Sequence, residues 1–304
     1  MHLLFRSALR LTSVLFGISV LVFLIVHAIP GDPAVIAAGL ESSPETVERI
    51  RRDLGLDQPL PTQFIRFLAR TATGDLGTSI RTGAPVLREI RDRLPHTLIL
   101  TAGGIILATL VGLVAGIAAA VARRRTLDRA VMAVTLLAVS TPSYWLALMG
   151  MLVFALRLAW LPSIGVGTPL HYVLPVVVLG LQSGGQVARI TRAATRDTLH
   201  QLYVRAAEAR GAPRRRVIVR HALANAMLPV TTLIGLRIGG LLAGTVLVES
   251  VFAIPGVGRM MVDAVVARDF PMVQGGVLVV AALIVVVNVL TDVTVAVLDP
   301  RVRA

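Results

Sequence analysis

Long apolar runs alternate with short arginine-rich stretches along the whole chain. Runs free or nearly free of charge cover 11–31, 94–122, 130–156, 158–188, 228–251 and 270–291. A membrane-crossing helix needs about 20 mostly apolar residues. The runs therefore predict six spans, at 9–29, 98–121, 131–156, 171–188, 228–251 and 273–297. The expected fold class is an all-α membrane protein with six transmembrane helices.

Between the first two expected spans lies the one sizeable hydrophilic piece outside the 189–227 loop, residues 30–96. Ser43-Pro44-Glu45 supplies a helix start, with a Ser cap and Pro in the first turn. Val47, Ile50 and Leu54 then recur at helical spacing, and Gly55 is a stop. A second amphipathic stretch, 63–69, follows Pro59 and Pro61. These features predict small extracytoplasmic helices at the outer mouth of a bundle. No internal repeat or low-complexity tract interrupts the pattern.

The arginines set the topology. With the N-terminus inside, segments 1–10, 122–130, 189–227 and 298–304 face inward, and together they hold the whole net charge of +13. Segment 30–96 is neutral. An even number of spans with both termini cytoplasmic fits this partition. Arg6, Arg10, the apolar core and Val26-His27-Ala28 also fit a cleaved secretory signal, although the apolar core is longer than such a signal needs.

Composition narrows the chemistry. The chain is 55% hydrophobic and 15% charged, with a mean hydropathy of +0.79, which excludes an ordinary soluble domain and a disordered one. Absence of cysteine excludes disulfides, thiolate metal sites and thiol nucleophiles. All 30 basic residues are arginine, so neither a phosphate-binding P-loop nor Schiff-base chemistry is available. The arginines are parcelled between apolar spans without interleaved aromatics, which argues against nucleic acid as a partner.

The longest expected inner loop, 189–227, carries nine arginines. Helix formers run from about Thr191 to Arg210, Gly211 stops them, and Pro213 can start another helix. One reading is a helix–turn–helix that docks into a groove of a cytoplasmic partner, with Ala206, Ala207 and Ala209 allowing close approach and Gly211 a positive φ. The other is a solvated basic loop.

Ala206-Ala207, Gly211 and Arg220-His221-Ala222-Leu223-Ala224-Asn225-Ala226-Met227-Leu228-Pro229 resemble the "EAA" loop of permease subunits of ATP-driven (ABC) importers, in the dipeptide, oligopeptide and nickel branch. Further stretches agree in order: Ile29–Pro33, Asp53–Leu60, Gly74–Ser79, Arg93–Leu98, Val251–Arg259, Arg268–Pro271 and Leu298–Arg303. The motif's first position is Arg205 instead of Glu, with Glu208 one turn on. The resemblance implies a segment 1–93, made of the first span and the extracytoplasmic helices, followed by a type-1 transmembrane domain over 94–298. It implies a second permease subunit, two cytoplasmic ATPase subunits and an extracytoplasmic solute-binding protein in a cell membrane. ATP and Mg would bind the partner ATPases, leaving no cofactor and no catalysis on this chain. The coupling residues would be Arg205, Ala206, Ala207, Glu208 and Gly211. Peptides are the implied cargo, with chelated nickel or another small solute as the alternative.

Polar groups inside expected spans are costly and often functional. Arg237 lies about 15 Å into the fifth and can pair with Asp292, contact the path or snorkel inward. Asn288 and Asp292 share a face of the sixth, and Gln182 and Gln186 make the fourth the most polar. These five are candidates for path lining or for contacts between helices. Glu249 reads as interfacial. Gly112/Gly116, Gly180/Gly184, Gly235/Gly239 and Gly240/Gly244 read as packing pairs. The histidines are dispersed, with no ligand pair, which predicts no metal site on the protein. A stand-alone channel or secondary transporter would show inverted repeats or broken helices. An intramembrane enzyme would need paired catalytic groups at depth.

Overall fold

The computed structural model describes residues 2–28, 33–38, 43–53, 55–122 and 124–298. Ile29-Pro30-Gly31-Asp32, Leu54 and Asp299–Arg303, used above, lie outside the described residues. The helices are α1 (His2–Ala28), α2 (Pro33–Ala38), α3 (Pro44–Asp53), α4 (Leu60–Ala72), α5 (Val86–Val121), α6 (Arg125–Ser140), α7 (Ser143–Gly150), α8 (Val173–Leu199), α9 (Leu202–Ala209), α10 (Arg214–Arg216), α11 (Ala224–Val251), α12 (Val257–Val266) and α13 (Phe270–Leu298). π-helical turns continue α7 over Met151–Arg157 and join α10 to α11 over Val217–Leu223.

The expected six spans are not found. Among the described residues four helices are long and apolar enough to cross a membrane: Val86–Val121, Pro169–Leu199, Arg214–Val251 and Phe270–Thr294. A bent pair, Arg125–Ser140 with Ser143–Arg157, raises the number to five if it counts as one span. The chain is thus a multi-pass α-helical membrane fold, with four, or up to five, such helices among the described residues. Two places account for the difference. The expected span 131–156 breaks at Thr141-Pro142 and bends by 100°. Pro142 has no N–H to continue the ladder and pushes Thr141 into an extended conformation (φ −79°, ψ 127°), so α6 stops at Ser140. In α1 the apolar stretch among the described residues is Thr12–Leu24, which spans about 20 Å against the ~30 Å of a hydrocarbon core.

The chain forms two compact units. One comprises residues 1–96 and 255–286. Ser43 Oγ accepts the Thr46 N–H at the start of α3, and Gly55 follows its end at φ +69°. The apolar face of α4 lays Phe64 and Phe67 on Phe23 of α1, with ring centroids 5.2 and 6.0 Å apart. A small core of Val86, Ile90, Val257, Met260, Ala264 and Met272 holds the start of α5 against α12 and α13. Asp269 opens α13 and is almost fully buried. It accepts the Ser79 hydroxyl and the backbone N–H groups of Ile80 (3.2 Å) and Met272 (3.4 Å). The Gly74–Ser79 and Arg268–Pro271 stretches, far apart in sequence, therefore meet on one carboxylate.

The other unit comprises residues 97–254 and 287–304. Here α8 lies against α5, α6, α7 and α11 around Leu100, Ala147, Leu174, Val178, Leu179, Leu241 and Val248. Glycine makes the approach possible: a Cβ on Gly112 would sit 2.5 Å from Val187, and one on Gly185 would sit 2.7 Å from the Thr135 carbonyl. Gly180 and Gly184 meet α5 in the same way, and Gly235 meets Thr291 of α13. Gly240 faces open space, so of the expected packing pairs Gly240/Gly244 makes no tight contact among the described residues.

Candidate functional site

The 189–227 segment folds differently from a simple loop. α8 does not end near 188 but continues to Leu199, and α9 begins at Leu202 after a two-residue break. The continuous helix expected over 191–210 is thus two helices. Gln201 supplies the extended residue that opens α9 (φ −69°, ψ 147°).

α9 has two faces. Val204 and Ala207 are buried against the chain itself. Leu202, Arg205, Ala206 and Ala209, at helical spacing, are exposed, as is Glu208. Leu202 is 82% exposed, high for a leucine. Arg205 and Glu208 form no ion pair with each other among the described residues. Of the five expected coupling residues, four therefore face outward or close the helix, and Ala207 faces inward.

Two devices hold α9 in place. At its end Gly211 adopts φ +80°. The Gly211 N–H donates to the Glu208 carbonyl (2.9 Å) and the Ala212 N–H to the Ala207 carbonyl (3.2 Å). This is a Schellman closure, which needs the left-handed residue that glycine accepts most readily. On the side of the helix, Asn225 Nδ2 donates to the Tyr203 hydroxyl (2.9 Å), tying α9 to the start of α11. Pro213 then opens α10, and Arg214 donates to the Val121 carbonyl at the end of α5 (3.3 Å).

The polar residues inside the spans have different surroundings. Ser143 of α7 donates to Gln182 Oε1 (2.9 Å), a contact between helices. The Gln186 Oε1 atom is buried with no hydrogen-bond partner among the described residues. Arg237 is half-buried, and Asn288 and Asp292 are exposed. Glu249 differs from expectation. It is 0% exposed, not interfacial, and accepts the Thr97 hydroxyl at 2.7 Å.

One polar cluster went unseen in the sequence. Asp128, in the first turn of α6 and 5% exposed, receives a bidentate contact from Arg192 and a further bond from Arg196 (3.1 Å). The signal was present: Arg192 and Arg196 are spaced i, i+4, and Asp128 is the one acid among the arginines of 122–130. Among the described residues, no group of three or more His, Asp or Glu could hold a metal ion.

Comparison with known proteins agrees with this architecture. The family described as "Binding-protein-dependent transport system inner membrane component" matches residues 112–304, and its companion N-terminal family matches residues 1–101. The chain is 41% identical over 298 residues to the glutathione transport system permease protein GsiC of Escherichia coli (strain K12), covering 98% of this chain and 97% of the relative. The corresponding protein of Pectobacterium atrosepticum is 42% identical over the same length and coverage. An inward-facing structure of the MetNI methionine ABC transporter is similar in fold, with a TM-score of 0.58 at 18% identity, covering 69% of this chain and 96% of that one. Matched by the family along most of its length and by relatives 41% and 42% identical over 98% of it, the chain belongs to the binding-protein-dependent transport system inner membrane components and is a permease subunit of an ABC importer.

Proposed function

We propose that this permease forms half of a translocation path in the plasma membrane, opposite a second and homologous permease chain. Both termini and the 189–227 segment face the cytoplasm, as the confinement of the net charge of +13 to those segments supports. Residues 1–93 form an appended segment and residues 94–298 the type-1 transmembrane domain. Of two ATPase subunits, one docks on α9 through Leu202, Arg205, Ala206, Glu208 and Ala209, with Gly211 setting the angle of the following chain. A solute-binding protein delivers cargo from outside. The observation that carries this reading is the exposed stripe of α9, a short helix rigidly closed at Gly211 and anchored at Tyr203, with an apolar leucine left in solvent.

The cargo is of the peptide type. The relatives' description as glutathione transport permeases supports a short, polar, peptide-like solute. Gln182, Gln186, Arg237, Asn288 and Asp292 are the polar groups available in this chain to meet it or to link helices. ATP hydrolysis on the partners closes the ATPase pair, pushes on α9, and switches the permease pair between inward-open and outward-open states as rigid bodies.

Purification of the chain from native membranes in mild detergent, with companions identified by mass spectrometry, tests the assembly. The expected companions are a Walker-motif ATPase, a second permease and a secreted binding protein. Recovery of the chain alone, as a homo-oligomer that still moves solute, overturns it.

A further inference from the structure

We infer that Asp128 is a positioning residue that makes the bent α6–α7 pair follow the end of α8, and through it α9. The inference rests on the proposed docking of an ATPase subunit at α9. Three observations carry it. Asp128 is buried at the first turn of α6 and receives both Arg192 and Arg196, so one carboxylate grips the last two turns of α8. Arg196 stands three residues before α8 ends at Leu199, and α9 starts at Leu202, so the grip lies within six residues of the proposed docking helix. Two more contacts lock the same elements further along. Gly185 of α8 lies against the Thr135 carbonyl of α6, and Ser143 of α7 donates to Gln182 of α8.

A bidentate guanidinium–carboxylate pair fixes orientation as well as distance. With Arg124, Arg125 and Arg129 exposed around it, Asp128 is also the one acid on its side of the contact. Its loss leaves α8 and α6 facing each other with like charges. Among the described residues, no other hydrogen bond or ion pair then ties the first turns of α6 to α8. The steric contact at Gly185 holds the far end only.

The test uses the assembled importer with this chain carrying two introduced cysteines, at Leu127 on α6 and at His200 after α8; the chain has no cysteine of its own. Spin labels on the pair report the distance without nucleotide and with ATP and vanadate. The expected result is one distance in both states for the labelled parent. In Asp128→Asn the expected nucleotide-dependent shift exceeds the ~2 Å of an ordinary helix adjustment. The charge-swapped variant Asp128→Arg/Arg192→Asp returns the parent behaviour. If Asp128→Asn does not assemble, Arg196→Gln removes only the third hydrogen bond and gives a smaller shift in the same sense. An unchanged distance in assembled Asp128→Asn, or a distance that already changes with nucleotide in the parent, overturns the inference. Failure of the α9 docking reading has a separate signature. Gly211→Asp then leaves uptake normal, whatever the labels at 127 and 200 report.

Discussion

Glu249 carries a carboxyl group into a site with no exposed surface, and the Thr97 hydroxyl meets it at 2.7 Å. A buried acceptor of this kind is costly to leave unmatched, by about 1–3 kcal/mol. Thr97→Val keeps the shape and removes the donor. It is expected to lower the melting temperature of the detergent-solubilised protein, whereas Thr97→Ser, which keeps the hydroxyl, is expected to stay near the parent. Equal melting for all three proteins would show that the hydroxyl does not matter. Position along the run suggested an interfacial Glu249, because sequence gives depth in a span but not which neighbour covers a face. Asp128 illustrates the same blindness. Its pairing with arginines 64 and 68 residues away is set by the packing of α8 on α6.

At the level of elements, stops and caps are legible in the sequence, and a break inside an apolar run is masked by the hydropathy on either side of it. Ser43, Gly55 and Gly211 mark ends that the structure has, each through a local hydrogen bond or a positive φ. Pro142 marks one too. Apolar content around it ran on without interruption, so 131–156 read as one span although its backbone rule pointed to a break. In the turn after α4, Gly74 at φ +81° reverses the chain and Asp75 fixes it. The Arg70 side chain hydrogen-bonds to the Asp75 carboxylate, the Gly77 N–H donates to it, and together they hold its pKa below the ordinary carboxylate value against a small opposing effect of burial. A depressed folded-state pKa contributes stability above the unfolded-state value, and that contribution is lost as pH falls through the folded-state value. The pair is more than half exposed, so the contribution is at most about 1 kcal/mol. Asp75→Asn is therefore expected to melt slightly below the parent at neutral pH. The gap is expected to close as pH drops below the usual carboxylate range. A gap that widens in acid would contradict this account of the turn.

For the whole molecule, the partition of charge says more than any single motif. Arginines counted in that partition also build the contacts that shape 189–227: Arg192 and Arg196 hold α6, and Arg214 caps α5. Membership of the importer permeases was legible from motifs spread in order along the chain, and the comparisons bear it out. The number of spans was not, because hydropathy measures apolar length while Pro142 bends the 131–156 run by 100°. Division of α9 into an inner and an outer face is set by packing, since Ala206 and Ala207 are the same residue type with opposite surroundings.

That contrast supplies the most direct test of α9 as the element through which ATP hydrolysis drives transport. In a chain without native cysteine, Ala206→Cys and Ala207→Cys place one thiol on each face. Membranes holding each variant are treated with a short bifunctional maleimide, and the products are identified by mass spectrometry. Ala206→Cys is expected to cross-link to a Walker-motif ATPase subunit, and buried Ala207→Cys is not. Efficient cross-linking of Ala206→Cys to other proteins or to its own chain, with no ATPase product from properly inserted protein, would contradict the assignment.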